Sequence, residues 1–157
     1  MTAASQRSLP AVHIRALTAE DASLLRRWSI APEEFLRVED LLACAELPGT
    51  VTLVALDADG GPVALFQSVP DGCAAEGRRS LSLLVHPGRR HRGFGRATLL
   101  AALDEPCVAG SVLLAVIDCD NAASLRCFTA CGFVTDDRAA SEQHAVLVRR
   151  VHERAAA

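Results

Sequence analysis

The sequence predicts an α/β protein with a mixed β-sheet, and three observations support this. Strand-like and helix-like hydrophobic patterns alternate along the chain. The nearly continuous apolar run SVLLAVID is typical of a strand covered on both faces, whereas VHIRAL and HAVLVRR alternate as half-buried strands do. The 157 residues, half of them hydrophobic, suffice for one domain with a core of its own.

The first half of the chain predicts a strand, two helices and a β-hairpin. Thr18 precedes the first helix and Asp21 lies in its first turn, as in a capping box. Pro32 favours the start of the second helix. Asp and Gly residues in DADGG tolerate positive φ, so they predict the turn of the hairpin. The first strand and the two helices cover residues 12–16, 19–28 and 33–47.

The second half predicts a strand, a helix, a strand, a helix and two final strands. Pro106 ends the third helix. Asp120 or Asn121 caps the fourth helix, and Gly132 is placed as its left-handed terminal residue. The elements cover residues 81–85, 95–105, 111–118, 122–131, 133–137 and 144–151.

Composition excludes several classes of protein. The net charge of −3 tells against a dedicated nucleic-acid binder, although RRHRGFGR could form a basic patch. No apolar run approaches the roughly 20 residues of a membrane helix, and the first 18 residues lack the apolar block of a signal peptide. We therefore expect one cytoplasmic domain over residues 1–157, with residues 1–10 as a flexible tail and neither membrane nor nucleic acid as partner.

The six cysteines do not predict a metal site. No Cys-x-x-Cys pair occurs, and no His-x-x-x-His pair lies nearby. We expect buried thiols in a reducing compartment and no bound metal. Cys127 is the one with a candidate functional role. The cysteines are Cys44, Cys73, Cys107, Cys119, Cys127 and Cys131.

The segment HPGRRHRGFGRATLL predicts an anion site where the fourth strand passes into the third helix. Gly93 and Gly95 let the backbone approach a ligand, and the helix N-terminus presents free N–H groups and a positive dipole end. Phosphate is the usual occupant of such a site. The motif is neither a Walker loop, since the chain has no lysine, nor a dinucleotide fingerprint, since only Gly-x-Gly is present. Charge at the rim would come from Arg89, Arg90, Arg92 and Arg96.

This segment resembles the acyl-CoA-binding motif of the GNAT superfamily of N-acetyltransferases. That motif runs from a strand through Val-x-Pro to Arg/Gln-x-x-Gly-x-Gly/Ala, and residues 90–95 match it without a gap. A second family block, Asn-x-x-Ala/Ser, an aromatic residue and then Gly-Phe, is matched by Asn121, Ser124, Phe128 and residues 132–133. Both motifs and the order of elements resemble the family, so the resemblance covers most of the chain.

The resemblance implies a mostly antiparallel, twisted sheet of six to seven strands flanked by about four helices. Strands four and five would splay apart to admit the pantetheine arm of acetyl-CoA or another acyl-CoA. A backbone N–H of Leu84 or Val85 would polarise the thioester carbonyl, an interaction worth roughly 3 kcal/mol. The cofactor-binding residues would be Leu84, Val85, Arg90, His91, Arg92, Gly93, Phe94, Gly95, Arg96, Asn121, Ser124 and Phe128.

The chain departs from the family at its acid and base. Many relatives have a tyrosine that protonates the leaving thiolate, but this chain has Phe128 there and no tyrosine anywhere. Ser124 and Cys127 are the alternative proton carriers, so the candidate catalytic residues are Val85, Ser124 and Cys127. The usual glutamate on the fourth strand is replaced by serines at positions 80 and 82. The base is left open among Asp118, Asp120 and His86.

The sequence therefore predicts transfer of an acetyl group from acetyl-CoA to an amine by direct attack on the thioester. The acceptor would be a small amine or a peptide or protein N-terminus. Glu33 and Glu34 are candidates for binding a cationic acceptor, or form a solvated face. The alternative is a non-catalytic acyl-CoA-binding or sensor module on the same fold. A homodimer is an expectation from the resemblance.

Overall fold

The computed structural model of the protein describes residues 8–72 and 77–153, and these form a seven-stranded sheet with four α-helices. Two short 3₁₀ turns, Pro87–Arg89 and Pro106–Val108, flank the third helix. The strands are β1 (His13–Ala16), β2 (Val51–Leu56), β3 (Pro62–Pro70), β4 (Arg78–Val85), β5 (Val112–Asp118), β6 (Val134–Thr135) and β7 (His144–Arg150). The helices are α1 (Ala19–Leu25), α2 (Val38–Ala45), α3 (Phe94–Leu103) and α4 (Ala122–Ala130).

The sheet is mixed, and its one parallel pair lies in the middle. The strand order is β1-β2-β3-β4-β5-β7-β6. Among the strands of the described residues, β4 and β5 pair in parallel and the other neighbouring strands are antiparallel. The predicted mixed, mostly antiparallel sheet with about four helices is confirmed.

The helices form a layer on each face of the sheet. Helices α3 and α4 pack on one face, where Leu99 and Phe128 join Phe66, Leu113 and Leu147 in the largest hydrophobic cluster. Helices α1 and α2 cover the opposite face of β2, β3 and β4. That second cluster contains Leu25, Trp28, Val38, Leu41, Leu42, Val54, Leu65 and Leu84.

Strands β4 and β5 separate after a short common stretch. Their register runs only from Arg78↔Val112 to Ser80↔Leu114. Beyond it, β4 pairs with β3 alone and β5 with β7 alone. The two inner edges therefore leave a gap in the middle of the sheet, as the predicted splay requires.

Local signals in the sequence act as predicted at both ends of the helices. Thr18 caps α1 in a capping box with Asp21, whose carboxylate accepts hydrogen bonds from the backbone N–H and hydroxyl of Thr18, both at 2.8 Å. Asn121 rather than Asp120 caps α4, since its Oδ1 accepts the Ser124 N–H at 3.1 Å. Gly132 follows α4 with a φ of +82°, the left-handed conformation expected of it.

The second helix begins five residues later than the sequence predicts. Helix α2 starts at Val38, and residues 33–37 are irregular. Two side-chain hydrogen bonds hold this stretch in a non-helical conformation. The Glu34 carboxylate accepts the Ala31 N–H, and the Arg37 guanidinium donates to the Pro32 carbonyl. The helical start expected after Pro32 is therefore wrong, because these contacts outweigh the weak local helix propensity.

Strand β5 is covered on both faces only along its first part. Residues 112–115 are buried, but Val116 is 60% exposed, so the expectation of full cover is wrong at that position. The reason is that α1 and α2 cover β2 to β4 and stop short of the far half of the sheet. The alternation of the strand then turns Val116 out of the core.

Residues 8–10, which belong to the tail expected over residues 1–10, are among those that the structure describes. Leu9 and Pro10 lie against Gly93, within 3.3 Å of where a Cβ atom would project from that glycine. Of the free thiols, Cys131 is buried and Cys44 and Cys127 are half-buried. Cys107, in a 3₁₀ turn, and Cys119, directly after β5, are exposed, so the expectation of buried thiols is wrong for these two. Cys73 and residues 1–7 lie outside the described residues. In the described ranges, no helix is both long and apolar enough to cross a membrane.

Candidate functional site

The arginine-glycine loop places two left-handed residues immediately before α3. His91 has a φ of +60° and Gly93, the N-cap of α3, has a φ of +88°. The first-turn amides of Phe94, Gly95 and Arg96 donate no hydrogen bond to any residue that the structure describes. Three unpaired N–H groups at the positive end of a helix dipole can bind an anion.

Gly95 lies in a narrow space between β4 and α4. A Cβ atom at this position would be 3.2 Å from the Cγ2 atom of Val85 and 3.7 Å from the Sγ atom of Cys127. The glycine therefore allows the first turn of α3 to approach β4 closely. This contact brings the loop, Val85 and Cys127 together.

The ladder between β3 and β4 decides which backbone groups face the gap. The His86 N–H donates to the Val63 carbonyl at 2.8 Å, and the Asp71 N–H donates to the Arg78 carbonyl at 3.0 Å. In an antiparallel ladder such pairs alternate, so the even-numbered residues of β4 direct their backbone groups at β3. Leu83 and Val85 direct theirs toward the gap. Of the two N–H donors expected from sequence, the geometry therefore excludes Leu84 and favours Val85.

Two of the four arginines at the rim are held by carboxylates. Arg90 binds Glu34 with the two terminal nitrogens of its guanidinium, at 3.1 and 2.7 Å, and Arg89 binds Asp57 at 2.8 Å. The Arg89 guanidinium also lies 5.7 Å from the centre of the Phe94 ring.

The charges of Arg89 and Arg90 are thus largely neutralised. None of the ion pairs within residues 8–72 and 77–153 includes Arg92 or Arg96, and both side chains are exposed.

The first turn of α4 carries the second sequence block. Asn121 is exposed, and its side-chain oxygen Oδ1 caps α4 by accepting the backbone N–H of Ser124. Ser124 itself is half-buried. Phe128 is 5% exposed and meets Phe133 edge to face, with ring centres 5.1 Å apart. It is a core residue and offers no proton.

Cys127 is poorly suited to protonate a leaving thiolate. A hydrogen bond with the Cys131 thiol, together with burial, raises the pKa of Cys127 well above its usual range. An ordinary thiol has a pKa near 8.5, so proton transfer from Cys127 to such a thiolate is uphill. The structure thus argues against Cys127 as the acid, although it lies beside the loop. Ser124 is the remaining side chain among the candidate proton carriers.

His86 and Asp118 differ as candidate bases. The Nδ1 atom of His86 accepts the Gly88 N–H at 3.0 Å, so the neutral ring carries its hydrogen on Nε2. Trp28 packs against the same ring at 5.0 Å between centres. The Nδ1 lone pair of His86 is therefore already engaged. Asp118 is exposed at the end of β5, and one of its oxygens accepts the Asp120 N–H at 2.9 Å.

Asp118 lies on the sheet face that α3 and α4 do not cover. The Asp118↔His144 pair belongs to the same sheet face as Val116, opposite α3 and α4. Continuing the parallel register of Ser80 with Leu114 puts Asp118 level with Leu84.

Sequence reasoning missed Leu83 and the partner of Arg90. The alternation of β4 could have placed Leu83 with Val85, once the pairing with β3 was known. No local signal connects Glu34 with Arg90, which is 56 residues away. In the parts of the chain described, no three His, Cys, Asp or Glu side chains come together as a metal ion would require.

The sequence model of one protein family matches most of the chain. The sequence model of the acetyltransferase (GNAT) family matches residues 16–133. The chain belongs to this family, and the resemblance stated from its two motifs is confirmed. No curated protein matches the sequence significantly.

Solved structures show the same fold at low sequence identity. Spermidine N-acetyltransferase from Vibrio cholerae, in complex with CoA and spermine, has a TM-score of 0.70 at 15% identity, over 89% of this chain and 95% of that one. The protein yncA from Salmonella typhimurium, with its cofactor acetyl-CoA, has a TM-score of 0.69 at 21% identity, covering 94% and 98% of the chains. The GNAT domain of S. lividans PAT has a TM-score of 0.66 at 19% identity, covering 88% and 90%.

Proposed function

We propose that the protein is an acetyl-CoA-dependent N-acetyltransferase acting on a primary amine. The observation that carries this proposal is the position of the β4–β5 gap. Its free Leu83 and Val85 amides end at the unpaired first-turn amides of α3. A ligand with an anionic end and an extended amide-bearing arm fits this combination of sites, and the arm can hydrogen-bond along the free strand edge.

The residues of the loop fit the diphosphate of CoA. The amides of Phe94, Gly95 and Arg96 meet the anion, and the exposed arginines at 92 and 96 add charge at the rim. The absence of a Cβ atom at Gly95 keeps this first turn against Val85. Acetyl-CoA supplies an activated acetyl thioester and a thiolate leaving group.

Val85 has the central role in the proposed transfer. Its N–H faces the gap and stabilises negative charge on the thioester oxygen, an effect typically worth 2.7–4 kcal/mol for one donor. The amine approaches from the face of α1 and α2, because these helices leave the end of β5 exposed at Val116 and Asp118, whereas α3 and α4 cover the other face. Asp118 on that face accepts the proton that the attacking amine loses.

The leaving group needs little assistance. A thiol of pKa about 8.5 departs as thiolate near pH 7.5 at a cost of about 1.4 kcal/mol. Buried Phe128 in place of tyrosine is therefore compatible with turnover. Most of the acceleration comes from alignment of the two reactants, which can supply roughly 7–11 kcal/mol.

An acetyl-transfer assay on a panel of amines tests the proposal. The panel contains spermidine, phosphinothricin, an aminoglycoside, free amino acids and a short peptide, with acetylated product measured by mass spectrometry. We expect at least one amine to be acetylated. Acetyl-CoA binding without acetylation of any amine would instead support the non-catalytic binding module.

A substitution at position 85 tests the role of the backbone N–H donor. Val85→Pro removes the N–H that faces the gap, at a position where no strand partner needs it, and should lower kcat by about 100- to 1000-fold. Val85→Ala keeps the N–H and is the matched control, with activity expected within a few-fold of the wild type. Equal activity in both variants would exclude Val85 as the oxyanion donor.

A further inference from the structure

We propose that Glu34 is a positioning residue that couples the cofactor loop to the connecting segment, residues 26–37, between α1 and α2. The inference rests on the proposed function, since it assigns acetyl-CoA to the loop. Glu34 was a candidate for binding a cationic acceptor, but its carboxylate is held by Arg90 at 2.7 and 3.1 Å. This contact holds the pKa of Glu34 below its usual range.

The Arg90 guanidinium contacts both the connecting segment and the end of β4. Its two terminal nitrogens bind Glu34, and its Nε donates to the Val85 carbonyl at 3.3 Å. Val85 is the residue whose backbone groups face the gap. One side chain in the cofactor loop therefore contacts the connecting segment and the strand end at the reacting centre.

The connecting segment is attached to β4 at a second point. The Trp28 ring meets the His86 ring edge to face, with centres 5.0 Å apart, directly after β4. Between the two contacts, Glu34 also accepts the Ala31 N–H at 3.2 Å. A displacement of Arg90 would thus reach Trp28 through a short, internally bonded segment.

The location of the segment makes this coupling relevant to acetyl transfer. Helices α1 and α2 lie on the face of the sheet from which the amine approaches. Phe35, directly after Glu34, is 87% exposed, so the segment presents a large apolar side chain on the acceptor side. Glu34 would act through Arg90 and would not touch either substrate.

Trp28 provides a spectroscopic measurement of the coupling that needs no acceptor. The chain has one tryptophan and no tyrosine, so its intrinsic fluorescence, excited selectively at the indole, reports on Trp28. Acetyl-CoA affinity is measured in parallel by calorimetry. In the wild type, we expect acetyl-CoA to change Trp28 emission.

Glu34→Gln removes the charge without changing the size of the side chain. We expect an acetyl-CoA Kd within about threefold of the wild type, because the backbone amides of α3 hold the anion. We expect the Trp28 response to fall about fivefold or more. Glu34→Asp, which keeps the charge, should restore at least half of it. Glu39→Gln is the matched control, since the exposed Glu39 pairs with Arg26 at 3.3 Å and has no contact with Arg90.

Two results would overturn the inference while leaving the proposed function in place. One is an unchanged Trp28 response in Glu34→Gln, which would show that the ion pair transmits nothing. The other is a parallel tenfold loss of acetyl-CoA affinity and of the response, which would assign Glu34 to folding of the anion site. Absence of acetyl-CoA binding in the wild type would overturn both proposals.

Discussion

Gly95 and Val85 are packed so closely that a Cβ atom at position 95 would lie 3.2 Å from the Val85 Cγ2 atom. Contacts of this length require the neighbour to move by a few tenths of an ångström. Crowding here would press on the side chain of the residue whose backbone N–H faces the gap. The anion site and the proposed oxyanion donor are thus in direct contact.

Gly95→Ala should weaken acetyl-CoA binding without unfolding the protein. Alanine gains up to about 1 kcal/mol of helix propensity, which offsets the crowding against Val85. We expect about a tenfold rise in Kd, equivalent to about 1.4 kcal/mol, measured by calorimetry. Gly72→Ala is the control, because a Cβ atom there would meet nothing within 4 Å. Equal affinity in both variants would show that the close approach is not needed.

The exposed arginines at the rim should contribute salt-dependent affinity. Because Arg89 and Arg90 are paired with carboxylates, the double variant Arg92→Ala/Arg96→Ala should lose roughly tenfold in acetyl-CoA affinity at low salt. The difference should shrink at about 0.5 M salt, where exposed charges are screened. The control Arg27→Ala/Arg138→Ala makes the same change of net charge at exposed positions. A loss as large in the control would indicate a non-specific effect of charge.

Cys127 should prove dispensable as an acid. The hydrogen bond with Cys131 and burial raise its pKa, so it stays protonated through the working pH range. Cys127→Ser should keep kcat within about tenfold of the wild type, which is less than the roughly 100-fold or more that general acid catalysis typically contributes. Cys44→Ser, in α2, is the control. A fall beyond 100-fold in Cys127→Ser alone would restore Cys127 as the proton donor.

Asp21 should make stability depend on acid pH. Hydrogen bonds from Arg15 and Thr18 hold the pKa of this buried carboxyl below its ordinary value. Because the folded-state pKa is lower than the unfolded value of about 3.9, the stabilisation is complete above pH 4 and is lost as pH falls through the folded pKa.

The Asp21→Asn variant isolates this contribution. It should be about 1–2 kcal/mol less stable at pH 7 in urea unfolding, a low value because Arg15 is 37% exposed. Its stability should also vary less below pH 4. Asp40→Asn, an exposed first-turn substitution in α2, should cost a few tenths of a kcal/mol. A wild-type acid dependence in Asp21→Asn would assign the titration to another group.

Features that depend on interactions between neighbouring residues were predicted from local sequence patterns. The caps at Thr18 and Asn121 and the left-handed Gly132 follow from side-chain hydrogen bonding and backbone sterics within a few residues. The order of strands and helices follows from hydrophobic periodicity. These features needed no knowledge of distant contacts, and all are present in the structure.

Features that depend on distant contacts were not predictable in the same way. The start of α2 at Val38 depends on side chains of the connecting segment, one of which is bound by Arg90. The choice between Leu84 and Val85 depends on pairing with β3, and the exposure of Val116 depends on how far α1 and α2 extend over the sheet. The loop and its glycines were identified from the sequence. The ion pairs of Arg89 and Arg90 with carboxylates could be identified only once the fold was known.

The most direct test of the central claim is an acetyl-CoA titration of the ¹⁵N-labelled protein, followed by two-dimensional amide NMR, which suits a chain of 16.6 kDa. We expect the largest shifts at the amides of Leu83, Val85, Phe94, Gly95 and Arg96. Shifts confined to other parts of the chain, or none at saturating acetyl-CoA, would contradict the assignment of the loop and the gap as the acetyl-CoA site.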